Sequence, residues 1–384
     1  MKTCIKNLFP LPALIAGLSL ILAGRVAAQT PNGMALIPAG SFTMGNSTGD
    51  SDITDATPTS IYVSAFYMDT NAVSYSEWQA VYNWATSHGY SFDYAGAGKA
   101  ANHPVQTVDW YDTVKWCNAR SQQAGLTPAY YTDAGLTQVY TTGQVPPYVN
   151  WAAKGYRLPT EAEWEKAARG GSSGQRFPWG NTISESQANY YGDKADYSYD
   201  LGPNGYNAAF ATGGYPYTSP VGSFAANGYG LYDMAGNVWE WCWDWYGTSL
   251  GQPTTTNPTG PATGSKRVLR GGCWTNDVSI TRCAARIGSA GNPTSERNSG
   301  GFRCVRAQLQ VTTVVLSAPQ VAVGKTNFTF LLTGPAGSNY VLQVSTNLVN
   351  WSSVSTSTMP VSGSITLSNA ISGYSRRFYR AYLQ

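Results

Sequence analysis

The residues best placed to do chemistry lie in a seven-residue segment in which two kinds of side chain alternate. Residues 239–245 read WEWCWDW, with tryptophan at every second position and Glu240, Cys242 and Asp244 between the indoles. A period of two predicts a β-strand, because successive side chains of a strand point to opposite faces. One face would bury indoles, whereas the other carries acids that are costly to bury unless they are paired or bound to a cation. The chemistry that this segment offers is therefore ion pairing with arginine or binding of a metal ion.

The amino terminus is predicted to be a secretory signal peptide. It joins a lysine-bearing start to an apolar run and ends in the small residues Val26, Ala27 and Ala28, after which we expect cleavage. The apolar run is short and interrupted by proline, which argues against a membrane span. We therefore expect residues 1–28 to be removed, leaving a secreted or periplasmic chain without a membrane span.

The charge of the mature chain excludes nucleic acid as a natural partner. The whole chain has 24 basic and 21 acidic residues, and the signal contains the three basic residues Lys2, Lys6 and Arg25. Its removal leaves no net charge, whereas nucleic-acid binding depends on a basic field that neutralises phosphates. Two histidines in the chain also exclude a metal site built from three of them.

Five cysteines remain after Cys4 is lost with the signal. They are Cys117, Cys242, Cys273, Cys283 and Cys304. In an oxidising compartment most of them would pair, but an odd number leaves at least one thiol outside any internal disulfide. Their spacings do not resemble those of a zinc ribbon or a redox CxxC motif.

Two helices are predicted from their amino-terminal caps. Residues 107–125 show apolar side chains near helical spacing, with Asp109 as the N-cap. Residues 158–171 begin with Thr160 as the N-cap and Glu163 three residues later, which is a capping box, and end in two glycines.

The character of the chain changes after residue 310. Residues 311–384 contain short alternating runs separated by glycine, serine and asparagine, and no cysteine. This pattern predicts a small all-β sandwich, which we interpret as an accessory domain for attachment or stabilisation. A carbohydrate-binding role is the alternative.

Eight segments of residues 33–308 resemble, in order, the formylglycine-generating enzymes, also called sulfatase-modifying factors. They are residues 34–46, 103–118, 156–171, 177–181, 227–247, 267–272, 282–286 and 301–307. The resemblance implies an α+β fold of the C-type-lectin-like kind with little regular secondary structure, stabilised by calcium and disulfides. It also implies an activity that uses copper and oxygen to convert a cysteine of a sulfatase into formylglycine. Because a fold does not carry a function by itself, the site residues decide whether that activity applies.

The resemblance implies a structural calcium site around the tryptophan-rich segment. Its ligands would be the side chain of Asp233, the carbonyl oxygens of Gly236 and Val238, and the carboxylate of Glu240. Such a mixture of carboxylate and carbonyl oxygens suits Ca²⁺. The alternative is a salt bridge between Glu240 and a nearby arginine such as Arg270.

A second calcium site of the family would use Asn189 and the carbonyl oxygens of Tyr190 and Tyr215. The family has an aspartate where this chain has Gly213, so one carboxylate is missing. Asp196 or Asp200 could substitute for it.

The resemblance also implies a disulfide between Cys117 and Cys304. The family's second disulfide would use Cys283, but its partner position holds Ala168. The pairing among Cys242, Cys273 and Cys283 stays open.

The copper site is where the chain departs from the family. Family enzymes bind Cu(I) with two thiolates in the interval between residues 272 and 282, and thiolates are the soft ligands that this ion prefers. Here the first position holds Asn276, the second falls near Ile280 or Thr281, and the interval is three residues shorter. Copper is therefore not expected, and Cys273 and Cys283 remain only weak catalytic candidates.

We therefore predict an exported binding or accessory module on a calcium-stabilised, lectin-like scaffold. It would present loops 187–220 and 273–300 to a protein or glycan. The alternative is an oxidoreductase that acts on a sulfatase cysteine, or on another substrate, through a rearranged site at Cys273.

Overall fold

The computed structural model separates the chain into two compact units. Residues 30–308 form the first, and the chain from residue 309 onward belongs to the second. The residues that the structure describes are 30–247, 255–288, 291–296, 298–308, 315–321, 327–334, 339–347, 349–360, 363–370 and 378–383. The predicted signal peptide lies outside these residues. Among the helices of the described residues, none combines the length and the apolar character needed to cross a bilayer.

The described residues of the first unit form short strands and three helices joined by long loops. The helices are α1 (Tyr75–Thr86), α2 (Trp110–Gln123) and α3 (Glu161–Ala168). The strands are β1 (Met34–Ile37), β2 (Gly40–Met44), β3 (Thr59–Val63), β4 (Phe66–Asp69), β5 (Tyr130–Tyr131), β6 (Tyr148–Val149), β7 (Tyr191–Gly192), β8 (Gly205–Tyr206), β9 (Trp239–Trp245), β10 (Arg267–Arg270), β11 (Gly300–Gly301) and β12 (Val305–Ala307).

These strands form small sheets rather than one large one. Strands β1, β4 and β12 make a three-stranded sheet with β4 in the centre, and β9 is the central strand between β10 and β11. The pairs β2–β3, β5–β6 and β7–β8 are two-stranded and antiparallel.

In the second unit, the residues that the structure describes form two three-stranded sheets. Its strands are β13 (Val315–Val321), β14 (Asn327–Thr333), β15 (Asn339–Ser345), β16 (Ser352–Thr358), β17 (Ser364–Ala370) and β18 (Phe378–Leu383). The sheet orders are β13-β14-β17 and β16-β15-β18. Leu332 of one sheet and Tyr340 of the other pack in the same small core with Met359, as the sequence pattern predicts for an all-β unit.

The helix caps explain where the helices begin. The side chain of Asp109 accepts a hydrogen bond from the amide of Asp112, and Thr160 and Glu163 form the expected capping box. Both predicted helices are therefore confirmed, although each is shorter than its sequence window. Helix α1 was not predicted, and it begins with a second capping box, between Ser74 and Glu77.

Strand β9 confirms the interpretation of the alternating segment. Trp239 and Trp241 pack in the core cluster that includes α2, whereas Cys242 packs with α3 in a separate cluster. On the same face as Cys242, the Glu240 carboxylate accepts a hydrogen bond of 2.7 Å from the indole of Trp164 in α3. The strand thus separates two cores, with indoles on one side and the acids and thiol on the other.

A buried ion pair ties β9 to the first sheet. Arg303, which is fully buried, donates from Nε and Nη2 to the two carboxylate oxygens of Glu240, at 2.8 and 2.7 Å. Its remaining N–H groups donate to the carbonyl oxygens of Asp69, Thr70 and Tyr232. One guanidinium therefore joins β9, the end of β4 and the loop before β9.

We expect Arg303→Met to lower the free energy of unfolding by about 3–5 kcal/mol, because the buried Glu240 carboxylate would lose its counter-ion. Urea denaturation measures this change. Arg306→Met is the matched control, since Arg306 is only half-buried and its Nε donates to the carbonyl of Lys154. There we expect a loss below about 1.5 kcal/mol. Equal losses in the two variants would contradict the special importance of the buried pair.

Candidate functional site

The loop before β9 places Asp233 in a position suited to a cation. Asp233, Gly236 and Asn237 have positive φ angles of 55°, 78° and 65°, so the chain turns tightly here. A Cβ on Gly236 would collide with the carbonyl oxygen of Asn189, which explains the glycine. Oδ2 of Asp233 accepts from the amide of Gly222 at 2.7 Å, but its buried Oδ1 has no hydrogen-bond partner among the described residues. Burial raises the pKa of Asp233 to about 6.

Glu240 is already neutralised by an arginine, but not by the one that the sequence suggested. Arg270 lies directly across from Glu240 in the β9–β10 register, yet its guanidinium binds Glu165 of α3. Arg303 takes that place instead. Glu240 does form a salt bridge with an arginine, as the alternative expected, but that arginine is Arg303. The choice of Arg270 is wrong, because α3 presents its own carboxylates to Arg270.

The residues present fit a calcium ion in part. Asp233 and Glu240 bring two carboxylates against the single guanidinium of Arg303, so one negative charge is left over when Asp233 is ionised. The Asp233 Oδ1 atom without a partner suits a hard cation, which binds oxygen ligands at about 2.3–2.6 Å. The carbonyl groups of Gly236 and Val238 remain the predicted further ligands. Glu240 would have to share its oxygens with Arg303. Calcium at this site therefore stays a prediction, centred on Asp233 more than on Glu240.

The residues of the second predicted calcium site serve other contacts. The amide group of Asn189 donates to the carbonyl of Tyr217 at 2.8 Å, and its backbone carbonyl accepts from Asn237. Asp200, one proposed substitute, accepts a 2.6 Å hydrogen bond from the hydroxyl of Tyr190. The other, Asp196, is exposed. Tyr215 is exposed as well, and the second site stays a prediction without added support.

One acidic cluster that sequence reasoning missed surrounds a lysine. Asp93, Asp109 and Asp112 lie close enough together to hold an ion. However, the Lys115 ammonium is 2.9 Å from Asp93 and 3.0 Å from Asp112. Asp112 also accepts from the amides of Asp93 and Tyr94. The cluster is therefore an ion-paired part of the fold.

The cysteines fall into three groups, one of which consists of Cys273 beside Asn276. The sulfur atoms of Cys117 and Cys304 lie 3.5 Å apart, a contact and not the bond of about 2.05 Å that a disulfide requires. The predicted pair is thus brought together, while the disulfide itself stays a prediction. Cys242 and Cys283 are buried in the α3 core, and burial raises the pKa of Cys283 to about 12. Cys283 is therefore a protonated thiol and a poor nucleophile.

The copper positions hold no soft ligand. Asn276 uses Oδ1 to accept from the Cys273 amide at 3.1 Å and lies 2.9 Å from the Cys273 sulfur. At the second position the Thr281 hydroxyl donates to the carbonyl of Val278, and Ile280 packs against the first core. Amide, hydroxyl and alkyl groups do not suit Cu(I). These residues do not fit the family's copper site.

A patch of aromatic rings lies beside these positions. We call it the tyrosine surface, and it consists of Tyr191, Tyr206, Tyr215, Tyr217 and Trp274. Ring centroids are 4.6 Å apart for Tyr215 and Tyr217, 5.3 Å for Tyr215 and Trp274, and 4.9 Å for Tyr191 and Tyr206. Trp274 is buried beneath the others, whereas Tyr215 is 69% exposed and Tyr191 is 38% exposed. A hydrogen bond to Tyr215 raises the pKa of Tyr206 to about 12, so Tyr206 stays a neutral phenol.

The rings of the tyrosine surface lie in loops 187–220 and 273–300, which the sequence predicted as the presenting loops, but the cluster itself was not predicted. Its members come from β7, β8, the segment 215–217 and the turn after Cys273, and backbone bonds join these parts. The amide of Tyr191 donates to the carbonyl of Asn276, and that of Trp274 donates to the carbonyl of Asn237. The available signal was composition, since residues 187–220 contain seven tyrosines.

Comparison with known proteins identifies the class of this scaffold. The α+β fold with few helices is shared with variable protein 1 of Treponema denticola, at a TM-score of 0.55 and 28% identity, over 72% of this chain and 95% of that one. Residues 22–308 match the model of the sulfatase-modifying factor enzyme 1-like domain. The chain belongs to the sulfatase-modifying factor family, as the ordered motifs indicate.

Two relatives illustrate the family. The formylglycine-generating enzyme of Bos taurus is 35% identical over 300 residues, which cover 73% of this chain and 76% of that protein. The formylglycine-generating enzyme of Streptomyces coelicolor is 31% identical over 296 residues, covering 72% of this chain and 90% of the relative.

The calcium prediction is best tested at Asp233. We expect the melting temperature of the unchanged protein to fall on addition of EDTA, because an ion bound only by the folded state adds about 2.7 kcal/mol at 100 times its Kd. Asp233→Asn should remove this response, while Asp196→Asn, a change at an exposed acid, should keep it. Glu240→Ala is less informative, because it also leaves the buried Arg303 guanidinium without its carboxylate partner. A chelator response that survives in Asp233→Asn would contradict the site.

Asp244, the second acid of β9, lies in an environment that favours its neutral form. Its Oδ2 accepts from the amide of Glu161 at 2.8 Å, and its buried Oδ1 has no hydrogen-bond partner among the described residues. Burial, followed by the nearby Glu161 carboxylate, raises the pKa of Asp244 from 3.8 to about 8. The folded state therefore holds this proton to higher pH than the unfolded chain does.

Asp244 should consequently make stability depend on pH. With the folded pKa above the unfolded one, the cost of ionising Asp244 is absent below about pH 4, grows as the pH rises towards about 8, and is complete above that value. We expect the melting temperature of the unchanged protein to fall between about pH 4 and about pH 8, and that of Asp244→Asn, which does not titrate, to fall less. Parallel profiles measured by differential scanning fluorimetry would contradict this expectation.

Proposed function

We propose that this chain is an exported binding or accessory module of the sulfatase-modifying factor family that engages a partner through its tyrosine surface. The observation that carries the proposal is a packed cluster of rings with two tyrosines, Tyr215 and Tyr191, left substantially exposed. The predicted signal peptide supports export, and the orphan oxygen of Asp233 supports a structural calcium ion beneath the loops.

The physics of tyrosine supports recognition at this surface. A tyrosine presents a large, rigid face and a hydroxyl, and ordering it costs little conformational entropy. Here the rings already contact one another, at 5.2 Å between Tyr206 and Tyr217 and 5.5 Å between Tyr217 and Trp274. The surface is therefore largely pre-organised, which reduces the entropic cost of binding.

The departure from the copper motif favours binding over oxidation. Asn276 and Thr281 provide an amide and a hydroxyl where the family enzymes provide thiolates. The alternative function is an oxidase that acts on a sulfatase cysteine, and the relatives named formylglycine-generating enzyme support it. That alternative requires Cys273 to bind Cu(I) with ligands other than the family's pair.

Removing one exposed ring should reveal a binding function. We expect Tyr215→Ala to weaken binding at least about tenfold, or about 1.4 kcal/mol, because an exposed tyrosine in a pre-organised patch is a typical binding hot spot. The probe is an array of synthetic peptides together with neutral and acidic glycans. Tyr148→Ala is the matched control, since Tyr148 is 51% exposed but lies in β6 and outside the tyrosine surface. Its binding should be unchanged, and both variants should keep the melting temperature.

Two results would contradict the proposal. One is the absence of binding to every probe by the unchanged protein. The other is tight, stoichiometric Cu(I) binding under reducing conditions that Cys273→Ser abolishes, since this outcome favours the oxidase.

A further inference from the structure

We propose that the tyrosine surface binds an acidic segment of a partner protein, with the Lys99 ammonium receiving a carboxylate beside Tyr217. This inference rests on the proposed binding function and specifies the chemistry of the partner. It starts from a cation at the rim of the aromatic patch.

Lys99 lies next to the rings without a carboxylate of its own. Its Nζ is 5.6 Å from the centroid of Tyr217. It donates to the carbonyl oxygens of Phe210 and Thr212, at 3.1 and 2.7 Å. An ammonium group has three N–H donors, so one is left for a ligand. In the described part of the chain, no aspartate or glutamate forms a salt bridge with Lys99.

The neighbouring titratable groups leave this positive charge uncompensated. His103 is buried, and its Nδ1 lies 2.9 Å from the Thr218 hydroxyl. Burial, and then the charge of Lys99, lowers the pKa of His103, so the imidazole is neutral at neutral pH. Asp277, which follows Asn276, accepts from the amide and the hydroxyl of Ser279. None of these groups is a counter-ion of Lys99, so its ammonium can attract a carboxylate of a partner.

A protein segment suits this surface better than a polysaccharide does. Residues 187–220 contain seven tyrosines, five glycines and three asparagines among 34 residues. Loops of that composition are typical of protein-binding paratopes, in which tyrosine supplies area and the small polar residues supply adaptable hydrogen bonds. An aspartate or glutamate next to an apolar residue would place its carboxylate on Lys99 and its neighbour against Tyr215 and Tyr217.

The test uses immobilised synthetic peptides in matched sets that carry glutamate, glutamine or lysine at one position, with polygalacturonate as an acidic glycan. Biolayer interferometry of the full chain at low and high NaCl measures the affinities. We expect glutamate peptides to bind about tenfold more tightly than their glutamine versions, and the difference to shrink at high salt, because exposed charges are screened. Lys99→Met should remove the preference, and Lys99→Arg should keep it.

The controls separate recognition from loop support. Lys194→Met, which changes an exposed lysine in loop 187–220, should leave the preference unchanged. If Lys99→Met weakens glutamate and glutamine peptides equally, Lys99 only holds the 210–217 segment and the inference is wrong. Equal binding of glutamate and glutamine peptides by the unchanged protein would overturn it while leaving the binding function standing. Binding of polygalacturonate alone would replace the protein partner with a glycan, and binding of no probe would remove the proposed function as well.

Discussion

The buried ion pair between Glu240 of β9 and Arg303, which lies two residues before β12, is the interaction on which the arrangement around β9 depends. A lone carboxylate in this position would be prohibitively costly, because Glu240 is only 1% exposed to water. The guanidinium satisfies both oxygens of Glu240 and also three carbonyl groups from two other segments. This fold has little regular secondary structure. The several hydrogen bonds of the Arg303 guanidinium therefore connect segments that backbone hydrogen bonds would connect in a larger sheet. Arg303 also donates to the carbonyl oxygen of Tyr232, and this hydrogen bond helps to position Asp233, the next residue of the loop before β9.

Strand β9 lies between two hydrophobic cores, because its alternating side chains point to opposite faces. Trp239 and Trp241 complete an aromatic core with α2, whereas Glu240, Cys242 and Asp244 meet α3. The α3 side contains charged groups that are all but excluded from water, including Glu161 and Glu165 with Arg270 and Arg286. Buried ion pairs of this kind add little net stability over an apolar core, yet they strongly disfavour structures that break them. These buried ion pairs therefore favour one folded structure of a loop-rich chain over alternative structures that would break them.

Local features were predictable from the sequence, and long-range partners were not. The caps at Asp109 and Thr160 and the period of two at 239–245 depend on neighbours within a few residues, so both helices and the strand could be placed. The partner of Glu240 lies 63 residues away. Its cross-strand neighbour Arg270 was the reasonable choice, and α3 captured that side chain. The tyrosine surface escaped prediction for the same reason, because its rings come from segments that only the folded backbone brings together. Family membership supplied the fold class, since motif order carries the long-range information that single residues lack.

The exposed rings stand on a base whose contacts are made by the main chain. Tyr191 is held through its amide by the carbonyl of Asn276, and Trp274 through its amide by that of Asn237, so these two attachments do not depend on the side chains at these positions. The backbone attachments that hold the loops are therefore separate from the exposed tyrosine side chains, which are free to vary. Descendants of this gene could exchange Tyr191 or Tyr215 for other residues and acquire new targets while the scaffold beneath remained intact.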